Sequence, residues 1–403
     1  MPYVAYGQSP IITRADAVRL ALENNPEIES ARQIWEGARA RARQVGALPD
    51  PELELEYEEM PELGGVGDFG ARNIGVVQRL EFPLKWWRRR QAGRQEAAAT
   101  RLAAFETVRQ DVRLRVGLAY DRIVLHQNIL LRSRENLNLV QDILRKARIR
   151  HEAGDVPQLE VMRAEVEAGR ATNQLTLVKN DLAAARSTLN ALLARSLSTP
   201  LTVADSLEYQ PLSLTLEKLK TMAVQQRPDL SGAKMQSISL RTRQAAAAAA
   251  YVPDLNIGVF RQRLRDGASE DDFWRLSFGL EVPLWAFSRQ RAERAEVRAE
   301  VARTRADQEA LLNRIYLETE QAYLDLTSAQ EQVMLFQERI LPQAEKAFEV
   351  ASLSYDEGKA TYLELLESRR TLTETHIEYA EALFSHRAAI AQLEWAVAGS
   401  LAK

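Results

Sequence analysis

The chain has 403 residues, with 53 basic and 56 acidic side chains and a net charge of −3. That balance argues against a nucleic-acid footprint, and the absence of cysteine excludes disulfides, thiolate metal sites and thiol catalysis. No stretch of about 18 apolar residues is present, which excludes a transmembrane helix. Four scattered histidines (His126, His151, His376 and His386) form no pair at ligand spacing and read as helix-surface or interface residues. Alanine, leucine, glutamate and arginine lead the composition, as in proteins of long helices. Met1-Pro2-Tyr3-Val4-Ala5 has neither the basic stretch nor the apolar core of a secretory signal. The chain therefore reads either as cytosolic or as a mature form from which a signal peptide has been removed.

In chain order, Thr13 to Gly46 reads as a helix that Thr13 can cap, with Asp16 three residues on. Pro49 and Pro51 end it. From residue 52 to 59, Leu53, Leu55 and Tyr57 alternate with Glu52, Glu54, Glu56 and Glu58. That period of two predicts a strand with one apolar and one acidic face. A loop with Gly64, Gly65, Gly67 and Gly70 leads to a second strand at 73–83, which sets Ile74, Val76, Leu80 and Phe82 against Arg79 and Glu81. From 86 to 152 nothing breaks a helix, and at ~1.5 Å per residue it makes a rod of roughly 100 Å. Its apolar row, Val116, Ile123, Leu130, Leu137 and Leu144, repeats every seven residues and predicts supercoiling against a neighbour. Gly154 and Pro157 turn the chain into a returning helix at 157–194.

A connector at 196–213 separates this program from a repetition of it. Leu80-Glu81-Phe82-Pro83-Leu84 recurs as Leu280-Glu281-Val282-Pro283-Leu284, and Asn25-Pro26-Glu27-Ile28 as Arg227-Pro228-Asp229-Leu230. Ala119-Tyr120 recurs as Ala322-Tyr323, and Gly154 with Leu159-Glu160 as Gly358 with Leu363-Glu364. The offsets stay between 200 and 204, so the first repeat spans 12–195 and the second 214–398. The second comprises a helix ending in a run of alanines, strands at 254–264 and 273–283, and helices at 288–357 and 361–398. Leu326, Val333 and Ile340 are again spaced by seven, and Pro342 should kink the long helix. Strand three places Leu255, Ile257 and Val259 opposite Asn256 and Gln262. Strand four places Trp274, Leu276, Phe278, Leu280 and Val282 opposite Arg275, Ser277, Gly279 and Glu281.

The predicted fold is mainly α with a small β part. Four strands cannot close a barrel, since small barrels need about 8, and no other sheet covers their apolar face. In a bilayer that face suits lipid, with Glu54, Glu56, Arg79, Arg275 and Glu281 facing a wet lumen. Three copies would supply the 12 strands of a closed transmembrane β-barrel, and the long helices would continue the tube as an α-barrel. The alternative reading is a coiled-coil periplasmic adaptor or scaffold without a channel. No Gly-x-Ser-x-Gly, phosphate loop or metal-ligand cluster is present, so neither an enzyme nor a cofactor is expected.

The sequence resembles the TolC-like outer-membrane efflux family, in particular the cation and metal branch typified by CzcC and CusC. The matching residues are Asn24-Asn25-Pro26-Glu27, the corners at Glu81-Phe82-Pro83-Leu84 and Glu281-Val282-Pro283-Leu284, and Tyr355-Asp356-Glu357-Gly358 followed by Leu363-Glu364-Leu365-Leu366-Glu367. The resemblance runs from Ile12 to Ala398. It implies a homotrimeric exit duct in the outer membrane of a Gram-negative bacterium. A helical tunnel would run through the periplasm to a periplasmic adaptor and an inner-membrane pump, and the signal peptide would be absent from the mature form. It also implies that Glu364 and Glu367 form a pore constriction and that Tyr355 and Glu160 form a gate latch. Ala360 stands where the family latch often has an arginine, with Lys359 beside it as the substitute. Trp86 and Trp87, followed by Arg88-Arg89-Arg90, are candidate membrane-interface residues together with Trp274.

Overall fold

The structure is a computed structural model. It describes residues 11–59, 70–266, 269–282 and 286–401, without the side chains of 250, 266, 269 and 286–290. Gly64, Gly65 and Gly67 of the first hairpin loop, Gly267 and Ala268 of the second, and Pro283 lie outside the described residues.

The expected helix from Thr13 to Gly46 is two helices, α1 (Arg14–Asn24) and α2 (Pro26–Val45). Pro26 has no N–H to continue the ladder and drives the residue before it out of helical geometry. Asn25 is accordingly extended, and its Oδ1 accepts the Glu27 N–H at 2.8 Å, capping α2. Thr13 caps α1 as expected, with its Oγ1 3.2 Å from the Asp16 N–H. The second half breaks at the matching place, where extended Arg227 separates α6 (Leu216–Gln226) from α7 (Pro228–Ala248).

In the first half β2 (Glu52–Glu58) and β3 (Ala71–Leu80) are followed by α3 (Pro83–Thr100). The helix starts three residues earlier than expected because proline at the first helical position loses no hydrogen bond. The expected rod from 86 to 152 is interrupted by a π-helical turn, Arg101–Glu106, before α4 (Thr107–Glu152). α5 (Gln158–Leu192) returns alongside α4. In the second half β5 (Asp254–Asp266) and β6 (Ser269–Glu281) lead to α8 (Ala286–Leu335). A second π turn, Phe336–Ile340, precedes α9 (Leu341–Asp356), and α10 (Tyr362–Val397) closes the chain. The wide turn sits where Pro342 cannot donate to the preceding carbonyls, which locates the expected kink. Two short strands, β1 (Ile11–Ile12) and β4 (Thr202–Val203), pair in parallel.

The chain divides into two compact units. One comprises Met1–Ala31, Glu106–Arg227 and Leu312–Lys403 and is helical, built on α4, α5, α9 and α10. Tyr120, fully buried on α4, donates to the Ile12 carbonyl at 2.9 Å and ties the β1 strand down. Val116, Ile123 and Leu130 of the predicted heptad row are buried, but Leu137 and Leu144 are only half-buried. Val140, Ile143 and Ala147 take over the core side there. Ile143 and Ala147 pack there against Ala164, Tyr355, Tyr362 and Leu365, so the neighbours of α4 near its end, and not the seven-residue row, choose the buried face. Leu326 and Val333 are buried as expected, and Ile340 is half-buried.

The other unit comprises Arg32–Phe105 and Pro228–Leu311. Its four strands form one antiparallel sheet in the order β2-β3-β5-β6, which leaves β2 and β6 as edges. The register places Leu53, Val76, Val259 and Leu276 in one cross-strand row, and Ile257 beside Phe278 and Leu255 beside Leu280 in others. Leu276, Phe278 and Leu280 are 59%, 68% and 70% exposed, so this face carries an apolar surface that nothing among the described residues covers. α3 packs on α7 in the same unit.

Replacing the fully buried Ile123 with alanine should destabilise the helical unit by roughly 2–5 kcal/mol. Leu137→Ala, at a half-buried position, should cost less. Thermal unfolding in detergent checks both, and equal losses would restore the unbroken heptad row.

Candidate functional site

The two helix–turn–helix tips lie in the helical unit and share one design. Gly154 and Gly358 end α4 and α9 in the left-handed region, with φ of 82° and 74°. An added Cβ at either would meet open space, so backbone conformation alone calls for glycine. In both turns the next N–H reaches back into the helix, Asp155 to the Arg150 carbonyl and Lys359 to the Ser354 carbonyl, each at 2.8 Å. This satisfies carbonyls that the helix end would leave unpaired.

Between the tips lies a small core of Ile143, Ala147, Ala164, Tyr355, Tyr362 and Leu365. The Tyr355 and Tyr362 rings meet edge-on at 6.4 Å, and the Arg150 guanidinium sits 5.0 Å over Tyr355. Burial pushes the Tyr355 hydroxyl pKa up, with the Glu160 carboxylate adding to it, and burial takes Tyr362 to about 12. The structure thus sets the Glu160 carboxylate near the Tyr355 hydroxyl. The Tyr355 hydroxyl and Glu160 Oε2 are both buried without a hydrogen-bond partner. Lys359 instead pairs with Glu357, two residues back, at 2.7 Å, and both are well exposed. The exposed ion pair that crosses between hairpins is Lys146 with Asp356 at 2.9 Å.

The sequence reading missed Arg369. Its side chain is almost fully buried and joins three helices: it bonds Asn136 Oδ1 of α4 and lies 3.4 Å from Glu167 Oε2 of α5. Thr373 Oγ1 donates to the same Asn136 oxygen at 3.3 Å. Burial lowers the Arg369 pKa and the Glu167 carboxylate opposes that shift, so the guanidinium is held by its partners. The available signal was its place on the stripe Tyr362, Leu365, Arg369, one face of α10. Its setting among Glu367, Ser368 and Arg370 hid it.

Glu364 and Glu367 lie on the opposite, exposed face of α10, one turn apart. Glu364 completes a capping box. Its Oε2 accepts from the Thr361 N–H at 2.7 Å and the Thr361 hydroxyl at 2.9 Å, while its own N–H donates to that hydroxyl. These bonds hold its carboxyl below the ordinary value of 4.5. Glu160 is the repeat counterpart of Glu364, but Pro157 stands where Thr361 would be, so no box forms and the Glu160 carboxylate turns to Tyr355.

In the other unit, Glu54, Glu56, Arg79, Arg275 and Glu281 share one face of the sheet by register. Arg79 lies 3.1 Å from Glu281 and 3.3 Å from Asp254, which also binds Lys85 at 2.8 Å. The same face buries Phe260 under the Arg275 guanidinium, 4.7 Å from its ring. A Cβ on Gly75 would come within 2.2 Å of that ring, so the glycine makes room for it. Trp87 and Trp274 are exposed, Trp274 on the apolar face beside Arg261. Trp86 is half-buried, donates to the Gly46 carbonyl at 2.9 Å and stacks under Arg90. Its indole is spent on packing α3 against α2.

The family model for outer membrane efflux proteins matches residues 17–195 and 219–399, and the chain belongs to that family, whose members are channels and not enzymes. The chain is 22% identical to the cobalt-zinc-cadmium resistance protein CzcC of Cupriavidus metallidurans over 373 residues, covering 91% of this chain and 85% of the relative. It is 27% identical to the pyoverdine export outer membrane protein OpmQ of Pseudomonas aeruginosa over 309 residues, covering 72% of this chain and 62% of the relative. Among solved structures it is similar to CusC, with a TM-score of 0.80 at 20% identity over 99% of this chain and 95% of that one. The outer-membrane channel OprN gives 0.79 at 17% identity, over 96% and 90%. The fold is that of the TolC-like channels, an α-barrel with a β-barrel.

A carboxyl whose pKa is depressed by folding contributes stability above its ordinary value and loses it as pH falls through the folded one. The Glu364 box should therefore hold at neutral pH and open in acid, below the ordinary 4.5. Protection from hydrogen exchange at the first turn of α10, taken relative to the intrinsic rate at each pH, should fall there, and Thr361→Ala should remove the acid dependence.

Proposed function

We propose that the protein is the outer-membrane exit duct of a tripartite efflux system, a passive homotrimeric channel. The single observation that carries this reading is the sheet: an uncovered apolar face, a charged face behind it and two unpaired edges. Three such sheets edge to edge make an even-stranded barrel that removes every edge and sets the apolar face against lipid. Glu54, Glu56, Arg79, Arg275 and Glu281 then line a wet lumen. Trp87 and Trp274 stand at the interface, and the two structural repeats, 12–195 and 214–398 joined by 196–213, build the wall together. The helices form the periplasmic tunnel, whose tips meet a periplasmic adaptor and, through it, an inner-membrane pump.

Glu364 and Glu367 supply the constriction. Threefold symmetry sets two rings of three carboxylates on the axis, which favours cations and repels anions. The cargo class is cations and metals or small toxic compounds; the relative CzcC is named for cobalt, zinc and cadmium. Tyr355 and Glu160 latch the tips, and Arg369, tied to Asn136 and Glu167, holds α10 against the first hairpin.

Mass measurement in detergent should give three copies, and a stable monomer in plain buffer would sink the channel reading. In planar bilayers the pair Glu364→Gln and Glu367→Gln should weaken cation preference and block by multivalent cations. Glutamine still serves a capping box, so the effect on selectivity is separable from fraying of α10. Unchanged selectivity would put both residues outside the pore. Arg369→Gln should raise the time spent open without altering selectivity, because it removes a tie between helices and leaves the pore carboxylates in place.

A further inference from the structure

We propose that the groove between α2 and α3 binds the phosphate headgroup of an anionic lipid, drawn from the leaflet on the helical side of the membrane. The site rests on the channel reading, which sets the sheet next to this groove in lipid.

The groove has a volume of about 590 Å³ and is lined by Trp35, Arg39, Arg43, Arg90, Arg94 and Arg101 together with small residues of both helices. The helices approach closely where Gly93 meets Ala42; a Cβ on Gly93 would come within 3.3 Å of the Ala42 Cα. No carboxylate is among the lining residues. Arg39 is answered by Glu36 at 2.8 Å, but Arg43, Arg90 and Arg94 have no ion-pair partner among the described residues. Arg39 and Arg101 sit over the Trp35 ring, 5.2 and 5.5 Å from its centroid, and Arg90 sits over Trp86 at 5.1 Å. Aromatic faces hold guanidiniums in place without neutralising them. A guanidinium cannot shed its proton, so cations gathered in one groove repel each other unless an anion shares them. Their planar forks match phosphate oxygens.

The helical scaffold does not require this charge. At the repeat offsets of 202 on α2 and 200 on α3, Trp35, Arg43, Arg90 and Arg101 have Ser237, Ala245, Gln290 and Val301 as counterparts. Only Arg39 and Arg94 keep an arginine there, as Arg241 and Arg294. The cluster belongs to the first repeat alone.

Its place points to a lipid. Beside the sheet, Phe82, Leu84 and Trp87 of the α3 start and Val45 and Leu48 of the α2 end are exposed apolar side chains. Arg90 and Arg94 follow Trp87 along α3 by about 5 and 10 Å. Arg43 lies at the same level on α2, because Trp86 bonds the nearby Gly46 carbonyl. An apolar collar followed by a cationic band matches the order of acyl chains and phosphates in a membrane. The groove also faces away from the charged side of the sheet. Lys85 reaches Asp254, which shares that side with Arg79 and Glu281. Arg94 is about two and a half turns beyond Lys85 and so lies on the opposite side of α3, as does Trp87. A lipid packed outside the tunnel meets the groove, and cargo in the lumen does not.

Native mass spectra of the full chain in detergent, titrated with phosphatidylglycerol, should show that lipid retained. Phosphatidylcholine, which has the same phosphate but no net charge, should be lost. Arg43→Gln with Arg94→Gln should weaken retention by on the order of tenfold, whereas Arg43→Lys with Arg94→Lys should keep most of it. Arg241→Gln with Arg294→Gln removes the same charge from the second repeat and should change nothing. Equal retention of the two lipids, or no response to the Arg43 and Arg94 variants, would overturn the site. So would displacement of phosphatidylglycerol by an equal concentration of inorganic phosphate, which would make the groove a site for free anions, or by a glutamate-rich peptide, which would assign it to a protein partner. Any of these results from a sample that inserts into vesicles and conducts would leave the channel reading intact. A sample that retains no lipid and does not insert would overturn both.

Discussion

Two free strand edges beside an uncovered apolar face are the constraint from which the rest of this molecule follows. Along their outer edges, β2 and β6 have no strand neighbour among the described residues. In lipid each unpaired backbone group costs several kcal/mol, so an open sheet cannot stay there. The row from Leu53 through Val76 and Val259 to Leu276 cannot stay in water either. A barrel shared between copies satisfies both demands.

The charged face answers a different demand. A small barrel must fill or wet its interior, and this one does some of each. Arg79, Glu281, Asp254 and Lys85 neutralise one another at the end where the strands meet α3. Deeper along β5, Phe260 lies flat under Arg275, admitted by the glycines at 75 and 258. A phenylalanine on a polar face and glycines in strand interiors each look like faults alone. Together they are one packing solution.

Much of this was legible in the sequence, for identifiable reasons. Period-two alternation in the strands expected at 52–59 and 273–283 told which residues share a face, because a strand has no other choice. The duplication located both tips through their glycines. What could not be read were features set by neighbours. Heptad spacing placed Leu137 and Leu144 in the core, but the partners met there bury Val140 and Ile143 instead. The hydrogen bond from the Trp86 indole to the Gly46 carbonyl joins residues 40 positions apart and left no mark in the sequence. Arg369 is charged, and charge on a helix usually means solvent; only Asn136 and Glu167, distant in sequence, make its burial tolerable. The break at Asn25, by contrast, is written in the sequence, because Pro26 forces the residue before it out of helical geometry.

The tips show what duplication permits once the frame is secure. Both turns keep the same glycine and the same backward hydrogen bond. The residues three past each helix start then diverge. Glu364 has Thr361 as a hydroxyl partner, so its carboxylate is spent on its own helix end. Glu160 has Pro157, which offers neither hydroxyl nor N–H, so its carboxylate is left beside Tyr355 with one oxygen buried and unpaired. A buried, unpaired carboxylate oxygen next to an unpaired phenol is an unsettled contact. One repeat thus has a helix start stabilised by itself, and the other has one that depends on its neighbour. The difference comes from one position, threonine against proline, at the start of each returning helix.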